Sequence, residues 1–237
     1  TRADGSVENY GSGHVKKYAK EKHGKKYGLI YSSEEDARAM VEEWKATIAQ
    51  EGDTYDEVIN ITPQPQASVT IMDQKTGAIK AMVGGRGAKS SSLSLNRAYR
   101  GSTRQPGSTF KILAAYAPAI DSCGKSLSTI VVDEPYKYKN GKNVKNASRS
   151  YKGAVTYRTA IANSINVCAV KVSDEISQEL GFEYCEKFGI STLVKEKKTD
   201  AGVFSDINQT LALGGVTDGV YNYELCAAYA TIANGGT

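Results

Sequence analysis

The sequence predicts an α+β fold in which an antiparallel hairpin precedes a set of apolar helices. Two strand-like runs, Ala67 to Met72 and Ala78 to Val83, are joined by Asp73-Gln74-Lys75-Thr76-Gly77, whose glycine suits the positive φ of a tight turn. Behind Pro106-Gly107-Ser108, the residues Phe110, Ile112, Leu113, Ala114 and Ala115 form a helix apolar on nearly all sides, the pattern of a buried core helix. Helical periodicity recurs from Thr156 to Val172 and from Tyr223 to Ala233. With 237 residues, 40% of them hydrophobic, the chain has the material for one sizeable core.

The elements follow in order. Six lysines lie between Lys16 and Lys26, and the stretch from Glu34 to Glu57 is acidic, which reads as one solvated, polarised segment. Ser33-Glu34-Glu35-Asp36 is an N-cap signal, and Ala37, Val41, Trp44 and Ile48 continue it as an amphipathic helix ending near Gly52. Residues 53–66, with Pro63 and Pro65, read as a linker or an edge approach. Gly84-Gly85 ends the second strand, and a Ser-rich loop runs to Leu95. Pro118 and Gly124 are expected to close the core helix, a polar loop rich in Tyr and Lys follows, and Ile176 to Gly189 can form another helix.

Composition excludes several classes of function. A net charge of +4 is too low in density to make nucleic acid the default partner. No run approaches the ~18 apolar residues of a membrane span. The polar start Thr1-Arg2-Ala3-Asp4 is not a signal peptide, so either the protein is soluble or a targeting part has been removed. Four cysteines (Cys123, Cys168, Cys185, Cys226) and two histidines (His14, His23) offer no C-x-x-C pair and no close Cys/His set, which argues against a structural metal site. Cys168 and Cys226 lie in apolar runs where a free cysteine behaves as a small buried hydrophobe. Histidine-based hydrolysis has almost nothing to work with, and no cofactor motif is present. Enzyme chemistry here must use serine, lysine or carboxylates.

Ser108-Thr109-Phe110-Lys111 is S-x-x-K, and on a helix the three-residue step sets a hydroxyl and an amine on one face. With 21 serines and 22 lysines, chance alone predicts about two matches. There are two, the other being Ser122-Cys123-Gly124-Lys125, which crosses a glycine at a helix end. Ser108 instead sits at the first turn of a core helix, where the helix N-terminus stabilises negative charge.

The surrounding residues are more specific. Arg104-Gln105-Pro106-Gly107-Ser108-Thr109-Phe110-Lys111 resembles the nucleophile segment of class A penicillin-binding proteins, the bifunctional peptidoglycan synthases. Asn96-Arg97-Ala98 and the 71–85 hairpin resemble the same family's lead-in. Asp133-Glu134-Pro135, Lys145-Asn146, Tyr151-x-Gly153-x-Val155-Thr156 and Ser164-Ile165-Asn166 follow in the family's order. Leu213-Gly214-Gly215, Gly219-Val220, Glu224-Leu225 and Ala227-Ala228-Tyr229-Ala230 complete it, so the likeness covers about residues 60–237. Ser94-Leu95-Asn96 is also S-x-N and Lys75-Thr76-Gly77 is literally K-T-G, but both precede Ser108, whereas the family's order is S-x-x-K, S-x-N, K-T-G. The second motif is therefore assigned to Ser164 and Asn166, and Lys75 to Gly77 to a hairpin turn without a catalytic role.

The resemblance implies a serine β-lactamase and penicillin-binding transpeptidase-like fold, an antiparallel sheet flanked by helices, incomplete in this chain because the C-terminal strands are missing. It implies residues 1–60 as the linker region between a glycosyltransferase and a transpeptidase domain, and 61–237 as the N-terminal and central part of the latter. No K-T-G follows Asn166. The chain is thus expected to be one fragment of a longer or nicked polypeptide, with the remainder, carrying K-T-G, as a separate chain, and residues 67–83 to expose an unpaired apolar edge. Val144, where the family often has proline, and Tyr221-Asn222, where it has Thr-Pro, are smaller departures.

The implied activity is peptidoglycan D,D-transpeptidation without cofactor or metal. Ser108 attacks the penultimate D-alanine carbonyl of a stem peptide, Lys111 takes its proton, Ser164 protonates the leaving D-alanine, and Asn166 orients Lys111 and the donor amide. The acyl group then passes to an amine acceptor, and β-lactam antibiotics stall at acyl-Ser108. Implied partners are stem peptides as D-Ala-D-Ala donor and amine acceptor, β-lactams and the K-T-G fragment, at the extracytoplasmic face of a bacterial membrane whose anchor lies outside this chain. A D,D-carboxypeptidase or a non-catalytic β-lactam-sensing receptor would share these motifs. A class A β-lactamase would need Glu-x-x-Leu-Asn after Ser164, and no such string occurs.

Overall fold

The computed structural model describes all residues except 25–27, 88–91, 201 and 237. The expected Ser-rich loop and the lysine run thus fall partly outside the described residues. The chain divides into two compact units, Thr1–Gln64 and Pro65–Thr237.

The first unit holds α1 (Ser12–His23) and α2 (Glu34–Ala46). The lysine-rich segment, read as merely solvated, is helical up to His23, because Val15 and Ala19, one turn apart, bury against Met40 with Tyr18, Val41 and Trp44 beside them. Ser33 caps α2 by accepting from the Asp36 N–H at 3.0 Å. The helix stops at Ala46 rather than near Gly52. There the Thr47 hydroxyl donates to the Trp44 carbonyl at 2.6 Å, and the Thr47 and Ile48 N–H groups reach back three residues instead of four, tightening the last turn.

In the second unit β1 (Val69–Met72) and β2 (Ile79–Val83) pair antiparallel, with Val69 opposite Val83 and Ile71 opposite Ala81. Lys75 to Gly77 lie in the connecting turn. One face of the hairpin packs on α7 (Asn222–Ala233), where Asn222 accepts from the Thr70 hydroxyl at 2.6 Å. Val69, Ile71, Ile79 and Val83 stay exposed, and no third strand joins among the described residues. The hairpin thus keeps unpaired strand edges, as expected of an incomplete sheet, and an uncovered apolar face beside them.

The core helix opens as a 3-10 turn (Gly107–Thr109), continues through a π-helical turn (Ile112–Tyr116) and ends as α3 (Ala117–Ser122). Pro118 does not close it. Proline cannot donate to a carbonyl of the preceding turn, and the wider π turn absorbs that loss, with the Ala117 N–H reaching five residues back to Ile112. The Ala114 carbonyl is met instead by α6 (Gln178–Lys187): a Cβ on Gly181 would fall 2.3 Å from that oxygen, so only glycine permits this approach. Of the predicted apolar positions, Phe110, Leu113, Ala114 and Ala115 are buried and Ile112 half-buried, and Tyr116 is buried with them.

The polar loop contains short strands: β3 (Ile130–Asp133), β4 (Tyr136–Lys137) and β5 (Asn143–Val144), followed by β6 (Gly153–Thr156). β3 pairs antiparallel with β6, and β4 with β5. The single helix expected from Thr156 to Val172 is two. Thr156 ends β6 and caps α4 (Tyr157–Ala162), and α5 (Asn166–Ile176) starts after a break. α5 is buried over most of its length, with Val167, Cys168, Ala169, Val170 and Val172 fully enclosed and Glu175 at the surface. A small hairpin of β7 (Lys197–Thr199) and β8 (Gly202–Phe204) and a 3-10 turn (Leu211–Leu213) precede α7.

Candidate active site

The break between α4 and α5 is a helix-ending motif. The Ser164 N–H donates to the Ile161 carbonyl at 2.9 Å and the Ile165 N–H to the Ala160 carbonyl at 2.9 Å, the paired bonds of a Schellman cap. Ser164 occupies the left-handed position of that cap, at φ +50, where glycine is usual. This conformation turns both its carbonyl and its hydroxyl toward one point, the amine of Lys111.

Lys111 is 2% exposed. Its Nζ donates to the Ser164 Oγ at 2.9 Å, to the Asn166 Oδ1 at 2.6 Å and to the Ser164 carbonyl. Three acceptors saturate an ammonium group. Burial acts against the charge and pulls the Lys111 pKa from 10.5 down to about 8. The two oxygens that can only accept, the Ser164 carbonyl and Asn166 Oδ1, hold the two hydrogens of a neutral amine. The lone pair of that amine is then left for a hydroxyl. Cys168 lies close beneath; burial pushes its thiol up to about 12, so it stays neutral.

Ser108 lies in the exposed 3-10 turn one step before Lys111, a geometry in which residues three apart eclipse. Its hydroxyl makes no hydrogen bond among the described residues. Lys111, Ser164 and Asn166 are therefore already joined, and Ser108 lies three residues before Lys111 with its hydroxyl exposed. The turn is clamped from outside. The Val216 N–H donates to Gln105 Oε1 at 2.9 Å, while Gln105 Nε2 donates to the Val216 carbonyl. Arg104 and Val220 exchange backbone bonds at 3.1 and 2.8 Å. Gly214, at φ +72, presses so close that a Cβ would fall 2.2 Å from the Gly107 carbonyl oxygen. From α7, the Tyr229 hydroxyl donates to the Thr109 carbonyl at 2.7 Å.

The sequence order named Leu213-Gly214-Gly215, Tyr229 and Lys145-Asn146 without giving them a role. Lys145 supplies one through its backbone: its carbonyl accepts from Asn166 Nδ2 at 2.8 Å. The decoys lie elsewhere. Lys75 sits in a turn held by its own N–H to Asp73 Oδ1 at 3.0 Å, and Asn96 accepts from the Ala98 N–H at 3.0 Å. The four cysteines are free thiols, and among the described residues no group of three or more His, Cys, Asp or Glu could hold a metal.

Residues 67–237 match the penicillin binding protein transpeptidase domain family. Penicillin-binding protein 1A of Clostridium tetani is 38% identical over 180 residues, which is 73% of this chain and 22% of that protein. Penicillin-binding protein 1A/1B of Bacillus subtilis is 30% identical over 190 residues, 79% of this chain and 19% of that protein. The chain spans about a fifth of the length of these curated relatives. Among solved structures, penicillin-binding protein 1A of Haemophilus influenzae aligns with a TM-score of 0.55 at 27% identity, covering 70% of this chain and 23% of that one. PonA1 of Mycobacterium tuberculosis, solved in complex with penicillin V, aligns at 0.59 and 21% identity over 73% of this chain and 44% of its own, a likeness of fold.

Proposed function

This chain belongs to the penicillin-binding protein transpeptidase family, and from that membership we propose that it carries the nucleophile half of a peptidoglycan D,D-transpeptidase. The single observation that supports this reading most is the buried Lys111 amine, held by Ser164 and Asn166 one helical step from the free Ser108 hydroxyl. In its neutral form Lys111 takes the proton of Ser108 as the Ser108 oxygen attacks the penultimate D-alanine carbonyl of a donor stem peptide. The oxyanion is received by the Ser108 N–H and by an N–H from a K-T-G strand outside this chain. The proton passes through the Ser164 hydroxyl to the nitrogen of the departing D-alanine. An amine of a second stem peptide then takes the acyl group from Ser108 and restores the hydroxyl. A β-lactam enters as the donor does and acylates Ser108 without a leaving group that departs.

The unpaired strand edges of the two-stranded β1–β2 sheet support its completion by that K-T-G segment, in the same longer polypeptide or as its nicked partner. Residues 1–60 then bridge a glycosyltransferase domain and the transpeptidase domain. Among the described residues no helix is long and apolar enough to cross a membrane, so in this reading the anchor to the extracytoplasmic face lies outside them.

Intact-mass measurement of the protein carrying its K-T-G portion, with and without benzylpenicillin, tests the reading. One penicilloyl adduct on Ser108 that persists for hours is expected, and none on Ser108→Ala. Stoichiometric labelling of S108A would refute the assignment. A stable adduct without cross-linked product from stem-peptide substrates would favour a β-lactam-sensing receptor instead.

A further inference from the structure

The amide of Asn166 has one orientation open to it. The Lys145 carbonyl can only accept, at 2.8 Å from Nδ2, and the Lys111 ammonium can only donate, at 2.6 Å to Oδ1. Whatever fixes the Lys145 carbonyl therefore fixes which end of the amide Lys111 meets. That carbonyl forms the peptide bond to Asn146, whose side-chain nitrogen and oxygen are both engaged. Asn146 Nδ2 donates to Asp133 Oδ1 at 2.8 Å and to the Ser150 carbonyl at 3.0 Å, and its Oδ1 accepts from the Val167 N–H at 3.1 Å. The other carboxylate oxygen of Asp133 accepts from the Lys152 N–H at 2.9 Å. Asn146 thus holds Asn166 from both sides, through the Lys145 carbonyl in front and through the next residue of α5 behind.

Asp133 is 1% exposed and has no ion pair among the described residues. Burying a carboxylate without a counter-ion is costly unless its oxygens are filled by hydrogen bonds. Here it serves as an acceptor strong enough to lock the Asn146 amide. None of these groups touches the position of a reacting atom, so their effect on chemistry must run through Asn166 and Lys111. We propose that Asn146, locked by the buried Asp133 carboxylate, is a positioning residue that sets the amide orientation of Asn166 and with it the hydrogen bonds that Lys111 makes. The inference rests on the transpeptidase reading above.

The test is the second-order rate of acylation by benzylpenicillin as a function of pH, with thermal stability measured alongside, on the protein carrying its K-T-G portion. The titratable group facing Lys111 is Cys168 of α5, with Asp133 of β3 behind it. Asn146→Ala should acylate at least about tenfold more slowly. Its pH midpoint should fall, because Lys111 loses an acceptor that favoured its charged form. A purely structural role would lower the melting temperature and leave the midpoint in place. Asp133→Asn is the second variant, since two donors face it and an amide offers one oxygen; it should move the midpoint in the same direction by less, and it carries the test should N146A not fold. An unmoved midpoint in the folded variant overturns the proposal, whatever the change in rate. Adduct formation on Ser108→Ala in the same series would overturn the transpeptidase reading itself, whatever Asn146 does.

Discussion

The same four-residue pattern occurs twice in this chain, fourteen positions apart at the two ends of one core helix, and the two copies have entirely different surroundings. Ser108 and Lys111 lie at its start. There the lysine is 2% exposed and meets three oxygens of the α4–α5 break. Ser122 and Lys125 lie at its end. Ser122 shares a hydrogen bond with the Tyr184 hydroxyl, and Lys125, 27% exposed at its side chain, pairs with Glu175 at the surface. Between those two residues the chain turns at Gly124, with φ +64, so the three-residue step no longer follows a helical face. The lysine of an S-x-x-K pattern is therefore taken up by the core here only where the helix continues through the pattern.

Exchanging each lysine should separate the copies most sharply. Lys111→Met keeps length and burial but removes the amine, and should slow acylation by benzylpenicillin about 10²- to 10⁴-fold. Lys125→Met should leave the rate unchanged, at the loss of one surface ion pair. Equal losses in both variants, measured on proteins with native circular dichroism, would break the distinction.

A smaller effect belongs to Lys111 alone. In the proposed mechanism the neutral amine is the base, so with a pKa of about 8 the acylation rate should rise about tenfold between about pH 7 and pH 9 and then level off. The same depression has a sign for stability. Between about 8 and 10.5 the folded chain binds fewer protons at this lysine than the unfolded one, so its contribution to stability rises with pH across that window. Lys125→Met should retain the whole limb; a limb lost with Lys125 would reverse the comparison.

How far the sequence could be read follows from the same distinction. The hairpin, α6 and α7 depend on local periodicity and turn chemistry, and all were legible. α1 was not, because only Val15 and Ala19 are buried beneath a lysine-rich surface. The pairing of β3 with β6 joins Ile130 to Thr156, a contact no local pattern records. For the site, motif order singled out Ser108, Lys111, Ser164 and Asn166, and the structure brings the last three into direct contact. The clamps stayed hidden. A backbone carbonyl such as that of Lys145 has no residue identity to read, and Gln105 is one glutamine among many until Val216 folds over it. The split of the 156–172 helix escaped for a further reason: Ser164 takes the left-handed position of a helix cap that its residue type disfavours, and its contacts with Lys111 come from elsewhere in the chain.

That strain gives the smallest effect, and one whose sign reverses between two serines. At Ser164 the left-handed conformation costs an L-residue about 1–2 kcal/mol, a cost that alanine keeps and glycine relieves. Both substitutions lose the hydroxyl that accepts from Lys111, so that loss cancels when the two variants are compared. Glycine also frees the unfolded chain, by roughly 0.4–1 kcal/mol, which offsets part of its gain. Ser164→Gly should thus be more stable than Ser164→Ala by up to about 1 kcal/mol. Ser122 is the counterpart: it ends α3 without a positive φ, so there alanine should be the more stable by up to about 1 kcal/mol. Urea unfolding of the four variants reads both differences directly. Alanine winning at both positions would mean that Ser164 bears no strain and that the α4–α5 break is held by something other than its cap. Glycine winning only at Ser164 would assign the conformation to the site, where it keeps two oxygens of one residue on the amine of Lys111.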